Sequence, residues 1–235
     1  LSCPSIERKG MNIPKVIYMC HRQMEHMKKY SIGWTSLNPE YTVQLYNDEM
    51  CAQFLREQFS PLHEQIFHHI RHGPIKADFW RVCILYKYGG IYVDADIEPL
   101  IPFNQYMDPR IEFMTCISHF PSSLNPHLLR ARAGDSLLEK CIQTYVDYYH
   151  QRKPYSYWGW SICGIMNNHM SRFGEKEGIR TVIVDNAPKQ CQFLKEIYPR
   201  GYSSLGSHDH HCVYNGKRVL NNRRKEYNPR SHQFV

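Results

Sequence analysis

"GPIKADFWRVCILYKYGGIYVDADIEPL", residues 73–100, is the stretch from which the rest of the chain can be read. Phe79, Val82, Leu85 and Tyr86 recur at helical spacing, and Gly89 and Gly90 follow where a helix closes through a left-handed cap. "IYVDAD" comes next as a strand with Ile91 and Val93 pointing one way, so Asp94 and Asp96 lie near its C-terminal end. In open α/β sheets, ligands bind in the crevice beside that end of a strand. Carboxylates at i and i+2 on a strand share one face, and a chain that turns at the strand end can still bring both towards one point. Oxygen donors of this kind suit a hard divalent cation such as Mg²⁺ or Mn²⁺, which in turn holds a diphosphate. A bare Asp-x-Asp fits two solvated acids at a strand end as well. The setting adds weight: Asp78 and Arg81 share one helical face, and the glycine turn brings that helix back alongside the acids. Glycines there also allow a ligand close to the backbone.

Working outward, "IPKVIYMC" (13–20) is a β-branched apolar run opened by Pro14 and reads as a first buried strand. "QMEHMKKYSIGWTSLNP" is a helix that stops before Pro39, "YTVQLY" (41–46) alternates as a second strand, and Asn47 or Asp48 caps a helix over 47–59. The order β-α-β-α opens an α/β sheet. Further on, "IEFMTCISHF" and "HLLRARA" read as strands, residues 136–152 as an amphipathic helix and "IRTVIVD" (179–185) as another buried strand. After about residue 200 the pattern dissolves into Gly, His, Asn and Arg. Residues 13–235 therefore form one domain, and 1–12 an N-terminal extension: a tag remnant with Met11 as the native start, or the cut edge of a longer protein.

With Asp78, Arg81, Gly89, Gly90, Tyr92, Asp94 and Asp96 in register, "KADFWRVCILYKYGGIYVDADIEPL" resembles the DXD segment of the family 32 glycosyltransferases. That family is related to yeast-type mannosyltransferases and α1,4-glycosyltransferases. "IPKVIY" and "GWTSLNPEYTVQLYNDE" resemble its N-terminal strand and Trp-x(3)-Asn-Pro segment, so the likeness covers roughly residues 13–104. It implies an α/β, GT-A type Rossmann-like fold, with a central mixed sheet flanked by helices and a nucleotide-sugar site at the sheet edge. It implies a metal-dependent enzyme that moves a hexose with retention of configuration, the donor being a UDP-sugar first and GDP-mannose second. The acceptor would be a glycan, a lipid-linked sugar or a glycoprotein. Asp96 would ligate Mn²⁺ or Mg²⁺ and Asp94 would reach the metal shell and the donor, while Asp78 and Arg81 hydrogen-bond the transferred sugar. Tyr18, Gly90 and Tyr92 complete the donor-binding set. A third metal ligand from the C-terminal part points to "SHDHHCVYNGKRVLNNRR", in which His211 with Lys217 on the diphosphate is preferred over His208, Asp209, His210 and Arg218. The same histidines also read as a polar loop or a weak zinc site. Trp158 and Trp160 in "YSYWGW" are either core aromatics or platforms for a sugar face.

A chain of 235 residues with 42% hydrophobic content has material for a sizeable core, and no run approaches a membrane-spanning helix. Nine cysteines without a CxxC pair argue against a zinc cluster. Their odd number and the lack of an Asn-x-Ser/Thr sequon point to a reducing cytosol, with the Golgi lumen as the alternative if an N-terminal anchor was removed. The net charge of +7 concentrates at 217–230, a phosphate-facing patch or a solvated surface. Two rival functions remain. A haloacid-dehalogenase-like Mg²⁺ phosphatase would use Asp94 and Asp96, but some 90 residues precede the motif and no later Asp-Asp pair completes its site. A basic polyanion-binding module explains the tail and nothing about residues 78–96, so nucleic acid is not an expected partner.

Overall fold

Residue alternation in the first strand sets the two layers of the molecule. In β1 (Val16–Cys20), Ile17 and Met19 enter one buried cluster while Tyr18 and Cys20 enter the other, as a period of two requires. The computed structural model describes residues 13–198, 210–222, 227–228, 231 and 233–234. Residues 1–12 thus lie outside the described residues, as do His208, Asp209 and the arginines at 223–224.

After β1 come α1 (Met24–Leu37), β2 (Thr42–Tyr46), α2 (Asp48–Gln58), α3 (Pro61–His69), α4 (Gly73–Tyr88), β3 (Gly90–Val93) and β4 (Ile97–Pro99). Then follow β5 (Phe113–Ile117), β6 (Leu128–Ala131), α5 (Ser136–His150), α6 (Ile162–Asn168), β7 (Gly178–Val184) and β8 (Ala187–Ile197). β9 (His211–Tyr214) and β10 (Lys217–Asn222) form a hairpin, and β11 (Tyr227–Asn228) pairs with β12 (Gln233–Phe234) apart from the main sheet. Asn47 caps α2 by accepting from the Met50 N–H at 2.9 Å.

The main sheet runs β2-β1-β3-β6-β5-β8-β9-β10-β4, with β7 paired to β8, and mixes parallel and antiparallel neighbours. Helices α2 to α6 pack on one face around Phe79, Trp80, Tyr145 and Trp160; α1 and the segment around Phe103 cover the other. Three residues separate β3 from β4, yet the two strands stand far apart along this path. Four peptide steps span at most about 14 Å, so the sheet must curl until its last strand comes back near its third. No helix among the described residues is long and apolar enough to cross a membrane.

Two expectations change. The strand at 178–184 is buried on one face only: Val182 and Val184 enter the core, while Ile179 and Ile183 stand exposed, because β7 touches the sheet only through β8. The region after residue 200 is not patternless either, because Asn215 and Gly216 take positive φ values of 50° and 71° and turn β9 into β10, which enters the main sheet.

Candidate active site

α4 carries apolar side chains almost all round and is buried accordingly. Pro74 sits in its first turn, and it closes at Gly89, whose N–H reaches the Leu85 carbonyl at 2.8 Å. Gly89 and Gly90 hold φ at +68° and +117°, and a Cβ at Gly90 would lie 2.9 Å from the Val16 carbonyl oxygen. That crowding comes from β1, so Gly90 serves the helix-to-strand turn and not, as its motif position suggested, a bound donor.

β3 ends at Val93 and the chain turns at once: the Asp94 N–H donates to the His127 carbonyl at 2.8 Å, and its own carbonyl accepts from Ile97 N–H at 3.1 Å. The turn brings Asp94 and Asp96 onto the wall of one cleft of about 1130 Å³. Behind Asp94 stands Arg81. Its Nη2 donates to Asp94 Oδ1 at 2.8 Å and pairs with Asp78 Oδ1 at 2.9 Å, while Nη1 donates to the Pro126 carbonyl at 2.6 Å. Its guanidinium lies 4.4 Å above the centre of the Tyr92 ring, and the Tyr92 hydroxyl donates to Asp94 Oδ1 at 2.7 Å. Burial works against the charge on Arg81, but Asp94, Tyr92 and Asp78 outweigh it and hold its pKa well above the usual value.

Asp78 spends its other oxygen on the Ile162 N–H at 3.1 Å and the Ser161 hydroxyl at 3.4 Å, which fixes the start of α6. Burial pushes its carboxyl up to about 6, against the pull of Arg81 and of those two donors. The folded chain therefore binds a proton between the ordinary value of 3.8 and about 6 where the unfolded chain does not. The resulting stability is present below about pH 4 and lost as pH rises to 6, by at most ~3 kcal/mol. Urea unfolding at pH 4.5 and pH 7 should show this loss in the wild type and a smaller one in Asp78→Asn. Equal pH dependence in both would remove Asp78 as its source.

The structure thus brings together Asp78, Arg81, Tyr92, Asp94 and Asp96, but only Arg81, Tyr92, Asp94 and Asp96 reach the cleft. Tyr18 does not: it lies in the core under Gly90, with its ring 6.4 Å from that of Tyr46. Lys217 begins β10 at the turn end of the hairpin, several residues along the strand from the cleft end, where His210 and Asn222 lie. His211, paired in register with Asn221, falls on the opposite face from His210 because strand side chains alternate, so His210 takes the cleft position. Of the two tryptophans, Trp160 is buried among Tyr145, Tyr148 and Tyr155, whereas Trp158 stands 75% exposed at the rim.

Several cleft residues carried no sequence-level signal. Arg22, Arg71 and Lys76 bring positive charge to the wall. Opposite, Glu196 is buried, accepts from Asn222 Nδ2 at 2.7 Å and Asn125 Nδ2 at 3.2 Å, and is held at about 2; burial opposes that shift, and hydrogen bonding from His119 and Asn125 with the charges of His127 and His210 overcomes it. The carboxylate oxygens of Asp94 and Asp96, on one wall and within one turn, fit a hard divalent cation, with His210 and Asn222 on the facing strands of the same cleft.

Residues 24–111 match the family described as "Glycosyltransferase sugar-binding region containing DXD motif". Over 113 residues the chain is 30% identical to Mannosyl phosphorylinositol ceramide synthase SUR1 of Saccharomyces cerevisiae, covering 44% of this chain and 29% of that protein. Over 135 residues it is 27% identical to Inositol phosphoceramide mannosyltransferase 3 of Schizosaccharomyces pombe, covering 56% and 36%. It spans about a third of the length of these relatives. The solved structure "PaToxG Glycosyltransferase" shares the fold, with a TM-score of 0.53 at 18% identity over 66% of this chain and 68% of that chain. A curled mixed sheet flanked by helices, with an Asp-x-Asp turn at its edge, is the α/β architecture expected of a GT-A fold. Residues 24–111 thus carry a DXD sugar-binding region of the glycosyltransferase kind, similar to that of the yeast-type mannosyltransferases.

Proposed function

We propose that this chain is the donor-binding, catalytic part of a metal-dependent retaining glycosyltransferase that moves a hexose from a nucleoside diphosphate to a hydroxyl acceptor. The observation that carries it is the meeting of Asp94 and Asp96 on one cleft wall, with Asp94 clamped from behind by Arg81 and Tyr92. Mn²⁺ or Mg²⁺ held by these carboxylates would neutralise the charge that develops on the leaving diphosphate. Arg22, Arg71 and Lys76 add a positive field along the same wall, in the part first sought in Lys217. Arg81 and Asp78 act through Asp94 and the start of α6: the hydrogen bonds of Arg81 run to Asp94, Asp78 and two backbone carbonyls, leaving the sugar to residues at the cleft surface. Retention is what the family resemblance implies. Glu196, whose oxygens are taken up by two amides, is poorly placed as a covalent nucleophile, so retention would proceed by attack from the donor's own face and not through a glycosyl-enzyme.

The names of the two yeast relatives are those of mannosyl-transferring enzymes, which weighs towards GDP-mannose over a UDP-sugar. The acceptor would be the hydroxyl of a lipid-linked sugar or a glycan. A thermal-shift screen of UDP, GDP, UDP-hexoses and GDP-mannose, each with and without Mn²⁺, tests this. Metal-dependent stabilisation by one nucleotide class is expected; a folded protein that responds to none overturns it. Trp158, exposed at the rim, offers a flat face to a pyranose ring. Trp158→Ala should raise the KM for donor or acceptor about two- to tenfold, with stability changed by less than ~0.5 kcal/mol. Unchanged kinetics would take the indole out of the site.

A further inference from the structure

A second polar cluster lies at the floor of the cleft, which His127 and Asn222 also line. Cys116 on β5, Cys212 on β9 and His127 just before β6 converge in the buried interior, with all three donor atoms within 4.8 Å of one another. Cys212 Sγ stands 3.8 Å from Cys116 Sγ and 3.3 Å from His127 Nε2. His127 Nδ1 finds no hydrogen-bond partner, so the ring engages its surroundings through the nitrogen aimed at the sulfurs.

A disulfide does not account for the pair. β8 runs between β5 and β9, so the two cysteines sit on strands that are not neighbours, and their sulfurs stand at 3.8 Å, well beyond the roughly 2.05 Å of a disulfide bond. All eight described cysteines are free. A tetrahedral ion with bonds of about 2.3 Å to sulfur and about 2.0–2.1 Å to nitrogen requires S···S near 3.8 Å and S···N near 3.6 Å. The sulfurs already stand at the first separation, and the imidazole is within about 0.3 Å of the second.

We infer that Cys116, His127 and Cys212 form a buried zinc site, distinct from the carboxylate site in the cleft. Two thiolates and an imidazole select Zn²⁺ over Mg²⁺ or Mn²⁺, and binding releases the two thiol protons. The fourth ligand is the amide oxygen of Asn222, 3.8 Å from Cys212 Sγ; its amide nitrogen is tied to Glu196, which turns the oxygen towards the sulfur. The ion would pin β5, β9 and the residue before β6 together. The His127 carbonyl receives the Asp94 N–H, so the same ion would steady the acid turn from the rear.

The test is cobalt titration and zinc analysis of the untagged full chain, neither of which depends on transferase activity. Co²⁺ should give sulfur-to-cobalt charge-transfer absorption in the near ultraviolet, abolished by equimolar Zn²⁺, and the purified protein should carry about one zinc per chain. Cys116→Ser or Cys212→Ser should lose the band, while Cys141→Ser and Asp96→Asn keep it. Absence of the band in the folded wild type, or its survival unchanged in both the Cys116 and Cys212 variants, overturns the site. Should those variants fail to fold, the wild-type spectrum and zinc content decide alone. A chain that holds zinc but ignores every nucleotide would keep this site and reject the transferase reading.

Discussion

Asp96→Asn should lower metal-dependent turnover on the order of 10²–10³-fold, while leaving the unfolding transition within a degree or so of the wild type. The side chain lines the cleft and is only partly buried, so the exchange of a carboxylate oxygen for an amide changes charge without changing shape. On the metal-dependent reading proposed above, an anionic ligand is lost where the leaving diphosphate would need a cation, and raising Mn²⁺ should recover part of the rate. Steady-state kinetics at two metal concentrations, with a melting curve beside them, checks this. Wild-type turnover would defeat the assignment of the acid turn to metal binding; a collapsed melting curve would show that Asp96 serves the fold first.

Arg81→Ala should cost about 3–5 kcal/mol of stability, a fall of about 10 °C in melting temperature for a chain of this size. The guanidinium is 3% exposed and holds Asp78, Asp94 and the Pro126 carbonyl together; its removal leaves two carboxylates facing each other without a cation. Arg81→Lys should restore little, since an ammonium cannot span three partners as the planar fork does. Asp78→Asn in the Arg81→Ala background should recover stability by relieving one of the two charges. If the single Arg81→Ala variant melts like the wild type, the cluster is not the clamp described here.

The part of the fold read most directly from sequence was the part whose signals are local. The helical period of Phe79, Val82 and Leu85, the Gly89-Gly90 break and the alternation of Ile91 and Val93 all lie within fifteen residues, and α4 and β3 formed where they pointed. α3 was not separated from its neighbours, although Ser60 and Pro61 mark a helix start. The hairpin of β9 and β10 was missed because Gly, His and Asn masked its strands, yet Asn215-Gly216 is the dipeptide its turn demands. For the site, spacing brought Asp78, Arg81, Asp94 and Asp96 together, and the family resemblance added Tyr92. Spacing could not tell His210 from His211, because that choice depends on which face of β9 meets the cleft. Glu196 gave no sign at all: one acid in an apolar strand has no pattern until Asn125 and Asn222 arrive from elsewhere in the chain.

The curl of the sheet has a bearing on timing. β4 leaves the acid turn and finds its partner in β10, 121 residues later by the pairing of Leu220 with Pro99. During synthesis the two aspartates emerge long before the strand that bounds their turn on the far side. A partly made chain would own the motif without owning the pocket, and the long loop closed by that pairing makes it a slow, late step. On the donor-binding role proposed above, the capacity to hold a nucleotide would thus arrive only when β10 closes the sheet beside β4.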